Sequence, residues 1–248
     1  MSSLLAPLAA LAAGCDVGSY CDENLAILYV ETFYSTPMAR RLTAEEEADV
    51  RAILRRCRSV REEFTVFTPV VGDGPAATAS VILLAAELND AAILDELVSE
   101  GHPFDGLPNS EGTTTLHVAA VKGLGNTLSW ALQQGVAVDV ADASGRTPLM
   151  MTTWLTQDAV DGTQRLVSAG AQLDVVDEIG RSALTYALIA ESNENAALLI
   201  SLGADPAIAR QGILNDIAYW EELASPVAQS RREALAAFDE TYGHLLTE

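Results

Sequence analysis

Four glycines, Gly101, Gly135, Gly170 and Gly203, fall at intervals of 34, 35 and 33 residues, and the residues between them recur in phase. Thr147-Pro148-Leu149-Met150 follows Thr114-Thr115-Leu116-His117 by 33 residues, and Ser182-Ala183-Leu184-Thr185 follows by another 35. Residues 114–145 form the clearest unit: a turn, a small-residue helix, a second apolar helix, a closing glycine and an acidic turn. A period in this range, with one turn and two helices per copy, marks a stacked array in which no unit buries its apolar face alone. The glycines suit the left-handed residue that ends a helix without a Cβ clash. Function in such an array is sought on a surface.

The array starts weakly and ends gradually. Val81-Ile82-Leu83-Leu84-Ala85-Ala86 stands 34 residues before Thr115-Leu116-His117-Val118-Ala119-Ala120, so a degenerate first copy begins at Ala79. The paired alanines allow close approach of neighbouring helices. Upstream, Thr43 followed by Glu45 and Glu46 is a helix-start signature, and Val50, Ile53, Leu54 and Cys57 continue on one face. Arg51, Arg55, Arg56 and Arg58 crowd the later part, as expected toward a helix C-terminus. Residues 64–71 read as a short strand or an extended connector, ended by Gly72-Asp73-Gly74-Pro75. Residues 203–206 read as the opening of another turn, and residues 213–223 and 226–238 as amphipathic helices, the second capped by Ser225 with Pro226 in its first turn. The expected organisation is an N-terminal cap over residues 1–75, repeats over 76–212 and C-terminal capping helices over 213–248.

The first residues, MSSLLAPLAALAAGC, read as a buried Leu/Ala-rich helix in a cytoplasmic protein. The alternative is a secretory segment whose Ala12-Ala13-Gly14-Cys15 box would anchor a periplasmic lipoprotein through Cys15, leaving Cys21 and Cys57 free to pair. The missing basic residue before the apolar run disfavours that alternative.

Charge narrows the choice of partner. With 14 basic and 35 acidic residues the chain carries a net charge of −21, which repels nucleic acid and anionic membrane surfaces and favours a basic protein. Lys122 is the sole lysine, an arginine-biased usage consistent with a GC-rich bacterial source.

Catalytic chemistry finds little support. His102, His117 and His244 have no partner at a metal-ligand spacing, the three cysteines form no C-x-x-C pair, and no phosphate loop, dinucleotide fingerprint or nucleophile elbow occurs. No cofactor or metal is expected. Cys57 among arginines is the one candidate nucleophile, and residues 22–75 hold no histidine to serve as its base.

The sequence GVAVDVADASGRTPL, with Gly135, Asp139, Asp142, Gly145, Arg146 and Thr147-Pro148-Leu149, resembles the ankyrin repeat family, and the segment from Gly170 through Arg181 repeats it. The resemblance covers roughly residues 79–215 and implies an all-α solenoid of about four repeats with short β-hairpin turns, capped at each end by non-repeat helices. It places His117 in a structural turn, with Met150 and Thr185 at the corresponding positions of later copies. It also implies a non-catalytic protein-binding module. Asp139, Asp142, Asp174, Asp177, Glu178 and Asp205 recur along the turns as a candidate negative rim, and Trp130 and Trp154 are candidate contacts on the helix faces. An inhibitor or immunity-type protein that sequesters a basic toxin or effector enzyme is the favoured reading. A scaffold or host-targeting effector is the alternative, and an enzyme with an active N-terminal region ranks below both.

Overall fold

The computed structural model describes residues 42–57, 64–66, 77–102, 112–154 and 159–246. The expectations for Cys15, Cys21 and the 72–75 turn lie outside them. Helix α1 (Ala44–Cys57) starts as its sequence requires: Thr43 N donates to Glu46 Oε2 at 2.7 Å, and Glu46 N donates to Thr43 Oγ1 at 3.3 Å. Strand β1 (Phe64–Val66) then pairs antiparallel with β2 (Ala77–Ala79), Thr65 opposite Thr78. A short ladder thus joins residues 64–66 to the stretch that leads into the first helix pair.

Four helix pairs follow: α2 (Val81–Ala86) with α3 (Ala91–Ser99), α4 (Thr115–Lys122) with α5 (Gly125–Gln133), α6 (Pro148–Trp154) with α7 (Ala159–Ser168), and α8 (Ala183–Ile189) with α9 (Asn193–Ser201). First helices stack on first helices and second on second. This arrangement forms one core through all four copies, with Leu83, Leu94, Leu116, Leu128, Leu149, Leu166, Leu184 and Leu199 each at most 2% exposed. Each such leucine contributes about 1.5–3 kcal/mol on burial. The helix-closing glycines take the left-handed conformation, as at Gly170 (φ 98°), where a Cβ-bearing residue is strained.

The turns fold alike while their capping residues differ. In α4, His117 Nδ1 accepts the Thr114 N–H at 3.2 Å; in α8, Thr185 N donates to Ser182 Oγ at 3.3 Å and Ser182 N donates to Thr185 Oγ1 at 3.1 Å. The helix start therefore survives loss of the histidine.

Past Gly203 the structure departs from the expected turn. Asp205 caps a helix, its Oδ1 accepting from Ala207 N at 2.8 Å, and Pro206 occupies the first turn of α10 (Pro206–Glu222). The helix expected from residue 213 is thus already under way at 206, and the expected 212/213 boundary falls inside it. Gly212 makes the stacking possible: a Cβ there would sit 2.9 Å from Gly180 O. The last helix, α11 (Val227–Tyr242), folds back on α10 and reaches α8, and a short 3₁₀ turn (Gly243–Leu246) follows. Among the described residues no helix is long and apolar enough to cross a membrane.

Cys57 is 0% exposed and disulfide-bonded, its partner lying outside the described residues. That removes the free thiol on which the nucleophile reading depended.

Candidate interaction surface

Asp142 closes the best-formed turn. Its Oδ1 accepts from Ser144 N and Arg146 N, each at 2.9 Å, and its Oδ2 receives Arg146 Nε and Nη2, each at 2.7 Å. Asp177 repeats the arrangement one copy later: Oδ1 accepts from Ile179 N at 3.1 Å and Arg181 N at 2.8 Å, while Oδ2 takes Arg181 Nε at 2.8 Å and the Tyr186 hydroxyl at 2.7 Å. Both aspartates are 6% exposed. Their carboxylates serve the turn and are neutralised by an arginine four residues on, so they do not present a free negative edge.

From there a polar ladder runs into the C-terminal cap. Arg181 Nη1 donates to Asp216 Oδ1 at 3.0 Å, and Asp216, 0% exposed, also receives Arg231 Nε from α11 at 2.7 Å. Arg231 Nη1 then donates to Ile189 O at 3.0 Å. Aromatic rings line the same path: Arg146 lies over Trp154 at 5.8 Å, Trp154 stands 5.5 Å from Tyr186, and Arg181 lies over Tyr186 at 4.7 Å. Burial pushes the Tyr186 phenol well above its ordinary range, so it remains a hydroxyl donor to Asp177.

The other acidic turn residues are more accessible. Asp139 accepts from Gln172 N at 3.1 Å and Gln172 Nε2 at 3.0 Å, and Asp174 accepts from Asp205 N at 2.9 Å. These equivalent carboxylates tie each turn to the next copy, and they and Asp205 have no ion-pair partner among the described residues. Glu178 is exposed and accepts no hydrogen bond among them. Asp139 and Asp174 are thus partly exposed and Glu178 and Asp205 exposed, whereas Asp142 and Asp177 are buried in their turns.

The tryptophans divide as well. Trp130 is 3% exposed and its indole donates to Asp95 Oδ1 at 2.7 Å, which makes it a packing residue between second helices. Trp154 is half-buried and keeps part of its ring at the surface.

His117 is fully occupied. Its Nε2 donates to Arg146 O at 2.9 Å in the following copy, its Nδ1 faces Thr114, and burial pushes its pKa below the ordinary value. Among the described residues no three His, Cys, Asp or Glu side chains gather as a metal site.

Sequence reading missed two further arrangements. Lys122, in the last turn of α4, places its Nζ 2.7 Å from Oε2 of Glu87, with both side chains at most 2% exposed. Burial pushes the Glu87 carboxyl up to about 7 despite the lysine beside it. The two residues lie one period apart, 35 positions, so stacking brings them together. The second is the balance of charge at the surface. Arg51, Lys122, Arg146, Arg165, Arg181, Arg210, Arg231 and Arg232 each stand beside a carboxylate. Glu178, Glu191, Glu194, Glu222 and Glu240 are exposed and face no basic side chain among the described residues.

Comparison with known proteins agrees with this geometry. Residues 82–177 match ankyrin repeats, in three copies. A segment of 65 residues is 38% identical to a potassium channel, AKT3, of Oryza sativa subsp. japonica; it makes up 26% of this chain and 7% of the channel.

Proposed function

We propose, on the premise that this is an ankyrin-repeat protein, that the chain is a non-catalytic module whose negative surface captures a basic protein partner. Ankyrin repeats indicate protein–protein interaction as the general role. One observation carries the choice of a basic partner: eight basic side chains stand beside carboxylates of this chain, Arg55 being exposed without one, while five exposed glutamates are left without counter-charge among the described residues. A surface of this kind accelerates encounter with a positive partner and loses that advantage as salt rises. Asp139, Asp174, Glu178 and Asp205 supply the edge, with Trp154 beside it; Asp142 and Asp177 hold its turns in shape.

Within that role we favour an inhibitor of immunity type that covers a basic toxin or effector enzyme. A net charge of −21 and an array of four helix pairs followed by α10 and α11 support it. The disulfide at Cys57 supports an oxidising compartment over the cytoplasm, because cytosolic thiols are kept reduced.

Affinity capture with the full chain at low salt tests the reading, followed by release at high salt and an activity measurement on what is released. A basic protein whose activity falls when the chain is added back is the expected result. Salt-insensitive capture of acidic proteins contradicts it.

A further inference from the structure

Where α11 folds back over the corner between α8 and α9, it leaves a cleft of about 370 Å³. Its floor is apolar, formed by Leu188, Ala237, Phe238 and Tyr242, with the two aromatic rings 5.8 Å apart. Its rim carries Glu191 from the corner and Glu233 from α11. No basic residue lines it, and the nearby arginines are occupied: Arg231 with Asp216, Arg210 with Asp239, Arg232 with Glu221.

Glu191 is an unexpected residue for its position. Two residues before the second helices α3, α5 and α9 the backbone turns left-handed: Asn89 has φ 50°, Gly123 φ 63° and Glu191 φ 57°. Glycine adopts this conformation freely, and asparagine justifies itself at Asn89, whose Oδ1 accepts from Asn126 N at 2.9 Å and Thr127 N at 3.1 Å. Glu191 strains the backbone and its side chain forms no hydrogen bond or ion pair among the described residues. The carboxylate is held at the mouth of an apolar cleft without serving the fold.

We propose that this cleft docks a lysine- or arginine-bearing segment of the basic partner. The aliphatic stem of the cation lies on the accessible parts of Leu188, Ala237 and Tyr242, over the buried Phe238, and its charged head sits between Glu191 and Glu233. The proposal rests on the basic-partner reading above and adds a second contact, at the cap, remote from the turn edge.

The probe is a short synthetic peptide of leucine and lysine, titrated at low salt into the full chain while amide NMR shifts are followed. A matching leucine–glutamate peptide serves as control. The largest shifts are expected at Glu191, Glu233, Ala237 and Thr241, and Glu191→Lys with Glu233→Lys weakens binding about tenfold. Glu191→Gly keeps or raises the melting temperature and still weakens binding, which separates recognition from folding. Shifts confined to Asp139, Asp174 and Glu178 would overturn the cleft and leave the basic-partner reading standing. No binding of the lysine peptide, or equal binding of the glutamate peptide, overturns both.

Discussion

The turn edge and the C-terminal cleft are both lined by carboxylates, yet those carboxylates do opposite things. Behind the edge, Asp142 and Asp177 are buried, gather backbone and arginine donors, and define the shape of the turn. At the cleft, Glu191 gives nothing to the fold and occupies a backbone conformation that resists it. Acidic composition alone therefore does not locate a binding surface. Separating the two classes requires asking, of each carboxylate, which donors it already satisfies.

Substitutions at four positions probe that division. The largest effect is expected for Asp177→Ala, which leaves the buried Tyr186 hydroxyl and two turn N–H groups without their acceptor, leaves Arg181 only its bond to Asp216, and should cost about 3–5 kcal/mol in chemical denaturation. A loss below about 1 kcal/mol would place Asp177 with the surface carboxylates.

Glu87 sharpens the contrast as a carboxylate buried beside one partner. With its pKa raised from 4.5 to about 7, the folded state holds a proton that the unfolded chain releases earlier, so its contribution to stability declines as pH rises from about 4.5 to about 7 and is lost above that. His117 acts in the opposite sense: its pKa is lowered by burial, so its contribution is present above 6.5 and is lost as pH falls through its folded value. The difference between wild type and Glu87→Gln in urea unfolding across this range isolates the glutamate, and the wild-type protein should lose stability relative to the variant as pH rises. Parallel curves would show that Glu87 does not titrate there.

A smaller loss, about 1 kcal/mol, is expected for Asp139→Ala, which removes the bonds to Gln172, whereas Asp139→Asn keeps an acceptor and should melt close to wild type. At the far end of the scale, Glu191→Gly should be neutral or stabilising by up to about 1 kcal/mol in thermal unfolding, because glycine relieves the left-handed strain. Clear destabilisation would return Glu191 to the structural class.

Much of the fold was legible because stacking obeys a period. The four glycine positions, the Thr43–Glu46 helix start and the structural role of His117 all follow from local rules, and each is formed as those rules require. The fate of Asp142 and Asp177 was also written in the chain, as an arginine four residues after each, but a repeating acid invites reading as a surface. Asp205-Pro206 is a strong helix-start pair that the expected repeat phase overrode. Trp130 was misplaced because a helix face alone does not say which row it packs against; Asp95, from the neighbouring copy, settles it. The cleft was beyond reach, since Glu191 and Glu233 meet only through the way α11 folds back.

The most direct test of charge-driven capture is the association rate of the chain with its captured partner as a function of salt, for wild type and for Asp139→Asn, Asp174→Asn and Glu178→Gln combined. These changes preserve the hydrogen-bond acceptors while removing three negative charges. The expected result is slower association at low salt, convergence with wild type at high salt and an unchanged melting temperature. Identical association rates at low salt would contradict capture through the negative edge.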